Sequence, residues 1–218
     1  MSKVSVASAK AESAFGALMA ACTESGTSAL AVFIDPTLID PVGDGLAANE
    51  LVTRHPLTPL REWFPSDRCP YLLRISDAER AWLLVNRSVE QAVIEALDVV
   101  EGDLHPRSVC GWIVNPMDCS ALARELGAMA LVVRPDGTRW PLRFWDPRVT
   151  SHLARVLMRD QYAAMRPFLE NWRSLDHEGR LVQAAVPAST NAVCRLPLRF
   201  DSMQWRALQR VEHVNAVL

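Results

Sequence analysis

The apolar run Ala29–Ile34 constrains the fold of this chain more than any other segment. Its length and its β-branched residues are typical of a buried strand, and Asp35 and Pro36 end it. A second strand is predicted at Val109–Val114, and it contains Gly111. Because strand-like and helix-like segments alternate loosely along the chain, we predict an α/β fold with a mixed β-sheet flanked by helices.

Capping signals predict where most of the helices begin. A carboxylate or hydroxyl at the N-cap accepts free backbone N–H groups of the first turn, and a glutamine three residues later completes a capping box. The predicted caps are, in chain order, Asp77, Ser88 with Gln91, Asp118, Asp160, and Asp201 with Gln204. The helix that follows Asp118 is predicted to stop at Gly127.

A late hairpin is predicted from its turn sequence. The segments Ala130–Arg134 and Arg139–Trp145 flank the turn residues 135–138, which read Pro-Asp-Gly-Thr. Proline presets the first central φ of such a turn and glycine tolerates a positive φ. Because Pro141 has no N–H to donate, the second strand is predicted to lie at an edge.

The chain is predicted to consist of three segments. Residues 1–28 form an N-terminal helix, residues 29–175 an α/β body, and residues 176–218 a C-terminal extension that ends in a helix. A length of 218 residues suits one domain with an appended piece. Within the body, residues 36–56 are rich in proline and glycine, which predicts loops and one short helix over residues 46–52.

The first segment has an alternative interpretation as a lipoprotein signal that ends at Cys22. Phe15, Leu18, Met19 and Cys22 instead recur at the spacing of an amphipathic helix. Glu12 also lies just before the apolar stretch that a signal requires, where a negative charge is unfavourable. These features favour a helix of a cytoplasmic protein.

Charge and cysteine content exclude several classes of function. The net charge of −2 indicates no nucleic-acid partner, and no apolar run approaches the ~20 residues of a membrane span. The five cysteines form no C-x-x-C pair, which predicts reduced thiols and no metal or cofactor site. Lysine occurs only at Lys3 and Lys10, so Schiff-base and P-loop chemistry have no candidate in the body.

Residues 142–149 read L-R-F-W-D-P-R-V and predict a corner between a strand and a helix. Asp146 stands at the expected N-cap, and Pro147 suits the first helical position. Arg143 and Arg148 flank the carboxylate of Asp146 and are candidates to pair with it. The motif is therefore interpreted as a structural corner.

A catalytic interpretation remains open as an alternative. It would be a small hydrolase or transferase that uses Asp35, Asp146 or Cys110. The five histidines show no metal-ligand spacing, and the chain contains no G-x-S-x-G or G-x-G-x-x-G motif. A lone cysteine on an apolar strand is usually a packed thiol, which disfavours Cys110 as a nucleophile.

The seven tryptophans are numerous for a chain of this length. Tryptophan and arginine dominate the hot spots of protein–protein interfaces. Trp145 and Trp172 are interleaved with arginines, so we predict that they contact a partner together with Arg143 and Arg148.

Four motifs in a fixed order resemble one known family. They are Ala31–Asp35, Cys69–Leu72, Cys110–Val114 and the octapeptide at residues 142–149, and Phe168 and Trp172 follow them. In this order they resemble the adaptor and chaperone domain of bacterial type VI secretion, the Tap or TEC family, long catalogued as a domain of unknown function. The resemblance covers about residues 29–175.

The resemblance implies a non-enzymatic, cytoplasmic protein without cofactors. Such an adaptor binds the N-terminal region of a toxic effector and promotes its loading onto the spike protein, VgrG, of the secretion machine. Within the motifs that carry the resemblance, Asp35, Tyr71, Asp146 and Pro147 are predicted to have structural roles. Partners would be these two proteins, with no nucleic acid and no membrane. An immunity or other interaction module remains a further alternative.

Overall fold

The computed structural model describes residues 3–37, 51–98, 107–114, 118–185 and 196–213. The strands are β1 (Leu30–Ile34), β2 (Val52–Pro56), β3 (Tyr71–Ile75), β4 (Val109–Val114), β5 (Leu131–Val133), β6 (Arg139–Pro141), β7 (Trp172–Leu175) and β8 (Leu181–Gln183). The helices are α1 (Lys3–Glu24), α2 (Trp82–Leu97), α3 (Cys119–Ala130), α4 (Pro147–Val156), α5 (Arg159–Ala164), α6 (Arg166–Leu169) and α7 (Ser202–His213).

A six-stranded sheet in the order β2-β3-β1-β4-β7-β8 forms the middle layer. Every pairing in it is antiparallel. Helices α1 and α2 pack on one face, and α3 to α7 pack on the other together with the separate hairpin β5–β6. The predicted α/β class with a late hairpin is confirmed. No described helix combines the length and apolar character that a membrane span needs.

Strand β1 lies at the centre of the sheet between β3 and β4. All five of its side chains are fully buried. Leu30, Val32 and Ile34 face the layer of α1 and α2, whereas Ala31 and Phe33 face the opposite layer. Because helices cover both faces, the strand carries no polar alternation, as its sequence predicts.

Two of the predicted caps are formed as expected. Asp118 Oδ1 accepts hydrogen bonds from the N–H groups of Ser120 and Ala121 at the start of α3. Asp201 Oδ1 accepts from two N–H groups of α7, and Gln204 Oε1 accepts in return from the Asp201 N–H. The turn of the hairpin is also as predicted, with Gly137 at φ +84°.

The predicted capping box at Ser88 is wrong, because α2 is one continuous helix. Ser88 is buried within it, and its hydroxyl donates to the Val85 carbonyl. The same hydroxyl accepts a hydrogen bond from the indole N–H of Trp112 on β4. Asp77 caps only the turn that precedes α2, by accepting from Glu79 and Arg80.

Two predicted helix ends also differ. Helix α3 continues through Gly127 to Ala130. Gly127 does not end the helix but makes room for Pro59, whose Cδ would be 2.6 Å from a Cβ added there. Helix α5 has Met158 and not Asp160 at its N-cap, and Gln161 Oε1 accepts from the Met158 N–H.

The strands of the second half are distributed differently from the prediction. Strand β6 ends at Pro141, and residues 142–146 form turns, because Phe144 N–H donates to the Leu142 carbonyl. Strands β2 and β7 are not predicted from the sequence, whereas β8 lies within residues 181–186, where the sequence predicts a short strand or an extended arm. Strand β2 lies where loops were predicted, whereas residues 38–50, including most of the short helix expected at 46–52, lie outside the described residues.

The three predicted segments share one set of layers. Helix α1, from the first segment, packs against α2, and its residues Leu18 and Cys22 belong to the same apolar core as the sheet. Strand β8, from the C-terminal segment, pairs with β7 at the edge of the main sheet.

Candidate functional site

Asp35 lies directly after the central strand β1 and has no exposed surface. Its Oδ2 accepts hydrogen bonds from Arg143 Nε at 3.0 Å and from the indole N–H of Trp145 at 2.7 Å. The same oxygen is 2.7 Å from a terminal guanidinium nitrogen of Arg143. Its Oδ1 accepts from the backbone N–H and the hydroxyl of Thr37. The end of β1 and the octapeptide turn are thus joined by one buried network.

The octapeptide turn also begins helix α4. Asp146 is 2% exposed, and its carbonyl accepts from the N–H groups of Val149 and Thr150. This places Asp146 at the N-cap position and Pro147 first in the helix. The side chain of Arg148 lies outside the described part of the structure.

Aromatic rings surround the network on the sheet face. Phe33 of β1 stacks on Trp145 with ring centroids 5.2 Å apart and meets Trp172 edge-on at 5.5 Å. Phe168 packs against Trp172 at 4.4 Å. Gly111 makes room for this ring, because a Cβ there would lie 2.8 Å from the Trp172 side chain.

Charges in the network shift two pKa values. Burial lowers the pKa of Arg143, but the carboxylates of Asp35 and Asp146 outweigh it and hold that pKa above its ordinary value. Burial raises the pKa of the Cys110 thiol well above its ordinary value, and the same two carboxylates add to the effect. Cys110 is therefore a neutral, packed thiol at physiological pH.

The three residues of the catalytic alternative are close together but inaccessible. Asp35, Asp146 and Cys110 are 0%, 2% and 1% exposed. The Asp35 oxygens already accept from Arg143, Trp145 and Thr37, which leaves them poorly placed to accept a proton from a substrate. Among the described residues, no group of three His, Cys, Asp or Glu side chains could hold a metal ion.

The structure places two of the predicted partner contacts, Trp145 and Trp172, in the core. Trp145 and Trp172 have no exposed surface, because both rings fill the core beneath the sheet. Arg143 keeps 20% of its side chain exposed and is paired with Asp35. Tyr71, predicted as structural, is 5% exposed in the opposite core, with the guanidinium of Arg54 4.7 Å above its ring.

Other tryptophans lie at the surface instead. The rings of Trp63 and Trp205 each meet Trp140 edge-on with centroids 6.4 Å apart. The guanidinium of Arg134 lies over Trp140 at 4.5 Å and over Trp205 at 4.4 Å. We call these four residues the tryptophan patch. Trp63 is 40% exposed, and the other three are half-buried.

Three separate parts of the chain build the tryptophan patch. Trp63 follows the short 3-10 turn Thr58–Leu60, Trp140 belongs to β6, and Trp205 belongs to α7. In the hairpin Trp140 is opposite Val132, so Arg134 shares its face. The predicted hairpin implies this shared face, but no sequence signal indicates that α7 packs beside it.

Comparison with known proteins gives one match. A family model described as a domain of unknown function, DUF4123, matches residues 55–164, which is 110 of the 218 residues. The match includes β3, β4, the octapeptide turn, and Arg134 and Trp140 of the tryptophan patch. No curated protein and no solved structure gives a significant match.

Proposed function

Since the DUF4123 model matches half of its residues, this chain belongs to that family, and we propose that it is an effector adaptor of bacterial type VI secretion. In this role it binds the N-terminal region of a toxic effector in the cytoplasm and promotes loading onto the spike protein. It acts without catalysis, cofactor, nucleic acid or membrane.

The observation that carries this proposal is the family match, together with the burial of the family-like motif residues in the core. The motif residues Asp35, Arg143 and Trp145 bind one another in the core. A motif used in this way maintains a fold and does not itself turn over a substrate, as is expected of a binding scaffold.

The enzyme alternative is less well supported by the geometry. A nucleophile or general base must come within hydrogen-bond reach of its substrate. Asp35, Asp146 and Cys110 are all at least 98% buried, and the raised pKa of Cys110 disfavours its reactive thiolate.

Co-expression tests the adaptor function directly. The chain is produced with the toxin and the spike protein encoded beside it, with an affinity tag on the chain alone. The expected result is a complex of all three proteins in size-exclusion chromatography. Failure to retain either partner would refute the proposal.

Deletion in the native bacterium separates an adaptor from an immunity module. Loss of an adaptor abolishes export of the effector but leaves the producing cell healthy. Loss of an immunity protein leaves export intact and poisons the cell. A poisoned deletion strain that still exports the toxin would replace the adaptor proposal by the immunity one.

A further inference from the structure

The tryptophan patch is a partly exposed surface rich in hydrogen-bond donors. Indole rings carry only a donor, Nε1–H, and a guanidinium carries five donors and no acceptor. None of the indole N–H groups of Trp63, Trp140 and Trp205 donates a hydrogen bond to a described residue. A ligand that satisfies these groups must supply acceptors.

Arg134 is held in place before any partner arrives. Stacking between Trp140 and Trp205 fixes the plane of its guanidinium. Its Nε lies buried without an acceptor, and the side chain forms no ion pair with any residue in the described ranges. The carboxylate of Asp136 is near enough to interact with its charge but forms no ion pair with it. A preorganised guanidinium that is not ion-paired is suited to bidentate binding of a carboxylate.

Further positive charge lies beside the patch. Arg199 forms a bridge with Val133, the residue before Arg134, and Arg206 follows Trp205 on α7. Both side chains are exposed, and neither is ion-paired within the part of the chain that the structure describes. The carboxylate of Asp201 accepts from the first N–H groups of α7 and forms no ion pair with either side chain.

The aromatic surface adds an apolar component to this charge. Trp63 exposes 40% of its surface at the edge of the patch. Tryptophans in such positions serve as anchors that pack against an apolar side chain of a partner. The occupant is therefore expected to combine carboxylates with an apolar side chain.

We propose that the tryptophan patch binds an acidic segment of the effector, with carboxylates on Arg134 and its neighbouring arginines and an apolar side chain on Trp63. The charge complementarity of the patch identifies the chemistry of this segment. Its assignment to the effector rests on the proposed adaptor function. Strand addition at β6 is disfavoured. The Leu142 N–H donates inward to the Ala130 carbonyl, so the nitrogen of the preceding residue, Pro141, points outward. Because this nitrogen carries no hydrogen, it cannot donate to an added strand.

A peptide series tests the chemistry of the patch. The probe is a short fluorescein-labelled peptide in which glutamates flank a central leucine, and its controls replace every glutamate by glutamine or by lysine. Fluorescence anisotropy with the full chain should show the glutamate peptide binding at least ~10-fold more tightly than the glutamine peptide, and less tightly as salt is raised. Equal affinity for the three peptides, or no binding of the glutamate peptide, would overturn the proposal.

Variants locate the binding surface. Arg134→Gln and Trp63→Ala should each weaken binding of the glutamate peptide at least ~10-fold. The matched controls are Arg87→Gln and Trp82→Ala, exposed on α2 in the layer across the sheet, and they should leave the affinity unchanged. Should Arg134→Gln fail to fold by circular dichroism, Trp63→Ala decides, because its ring lies in a surface turn. Controls that weaken binding as much as the patch variants would contradict the assignment.

The same variants in the three-protein co-purification separate this inference from the adaptor function. Wild-type chain that retains the effector while both patch variants lose it supports the inference. Patch variants that retain it fully refute the site and leave the adaptor function standing. A wild-type chain that retains no effector refutes the adaptor function, whatever the peptides show. A concentration-dependent dimer that Trp63→Ala abolishes would also overturn the inference, by showing that a second copy occupies the patch.

Discussion

At the scale of single residues, Asp35 shows how a charge is held in this core. Its two oxygens accept from Arg143, Trp145 and Thr37, so the carboxylate exchanges water for charged and neutral donors. A buried ion pair contributes little net stability, but removal of one partner leaves the other without compensation. Substitution of Asp35 is therefore expected to destabilise the protein strongly.

Asp35→Asn should lower the free energy of unfolding by about 3 kcal/mol, because it leaves the guanidinium of Arg143 without its counterion. The value lies at the lower end of the range for buried pairs, since Arg143 keeps 20% of its side chain exposed. Urea unfolding followed by circular dichroism measures the change. The control Asp67→Asn, at an exposed site, should stay within about 0.5 kcal/mol of wild type. Equal stabilities of the two variants would show that the network is not structural.

His55 gives stability a pH dependence of known sign. Burial and the nearby charge of Arg74 lower its pKa below the ordinary 6.5, and Asp118 opposes them. His55 therefore binds its proton more tightly in the unfolded chain than in the folded one. The stability that neutral His55 contributes above pH 6.5 is consequently lost as the pH falls below that value. His55→Gln removes the contribution. Its free energy of unfolding should fall less than that of wild type between about pH 7 and pH 5. Parallel curves for the two proteins would contradict the assignment.

At the scale of elements, the pairing of β4 with β7 depends on a missing side chain. Gly111 lies opposite the backbone of β7, where an added Cβ would come within 2.5 Å of the Arg173 carbonyl oxygen and 2.8 Å of the Trp172 ring. The glycine is therefore required by close approach of strands and not by an unusual φ. Its role links the sheet to the aromatic core.

Gly111→Ala should destabilise the protein by about 3 kcal/mol, because neither the carbonyl nor the packed indole can move freely. Gly16→Ala is the matched control, since Gly16 lies within α1 and a Cβ there meets no atom within 4 Å. It should stabilise the protein by about 0.5–1 kcal/mol through helix propensity. Thermal melts of both variants measure the difference, and a stabilised Gly111→Ala protein would refute the close approach.

Elements with local signals could be predicted from the sequence. The run at β4 and the caps at Asp118 and Asp201 depend on neighbouring residues alone. Ser88 and Gly127 could not be interpreted correctly, since their partners are Trp112 and Pro59, which lie far away in the sequence. For the candidate site, the family-like motifs contain Asp35, Arg143 and Trp145, but the sequence did not show that Asp35 accepts from the other two or that Trp145 is buried.

At the scale of the whole molecule, all three layers protect the cysteines. Cys22, Cys69, Cys110 and Cys119 are free and buried, and they lie in the cores on both faces of the sheet. Burial raises the pKa of each thiol, that of Cys119 to about 11. Their reactivity therefore reports on opening of the entire fold.

The fifth cysteine, Cys194, lies outside the described residues, so a Cys194→Ser variant isolates the other four. Under native conditions at pH 8, their reaction with Ellman's reagent should be at least ~100-fold slower than in urea, because both burial and the raised pKa values suppress the thiolate. One thiol that reacts at the rate of the unfolded chain would show that one of the layers opens locally.

The central place of β1 has a consequence for fragments of this protein. The family match begins at residue 55, whereas β1 ends at Ile34, so a fragment cut at the match lacks the strand between β3 and β4. Strands β3 and β4 would then each have an unpaired edge where β1 is missing. The position in the core that Phe33 fills would be open to water. Such edges recruit strands from other molecules. The boundary of the family match is thus not a folding boundary, and because α1, β7 and β8 also lie outside residues 55–164, a fragment of those residues should aggregate even when the β1 segment is supplied in trans.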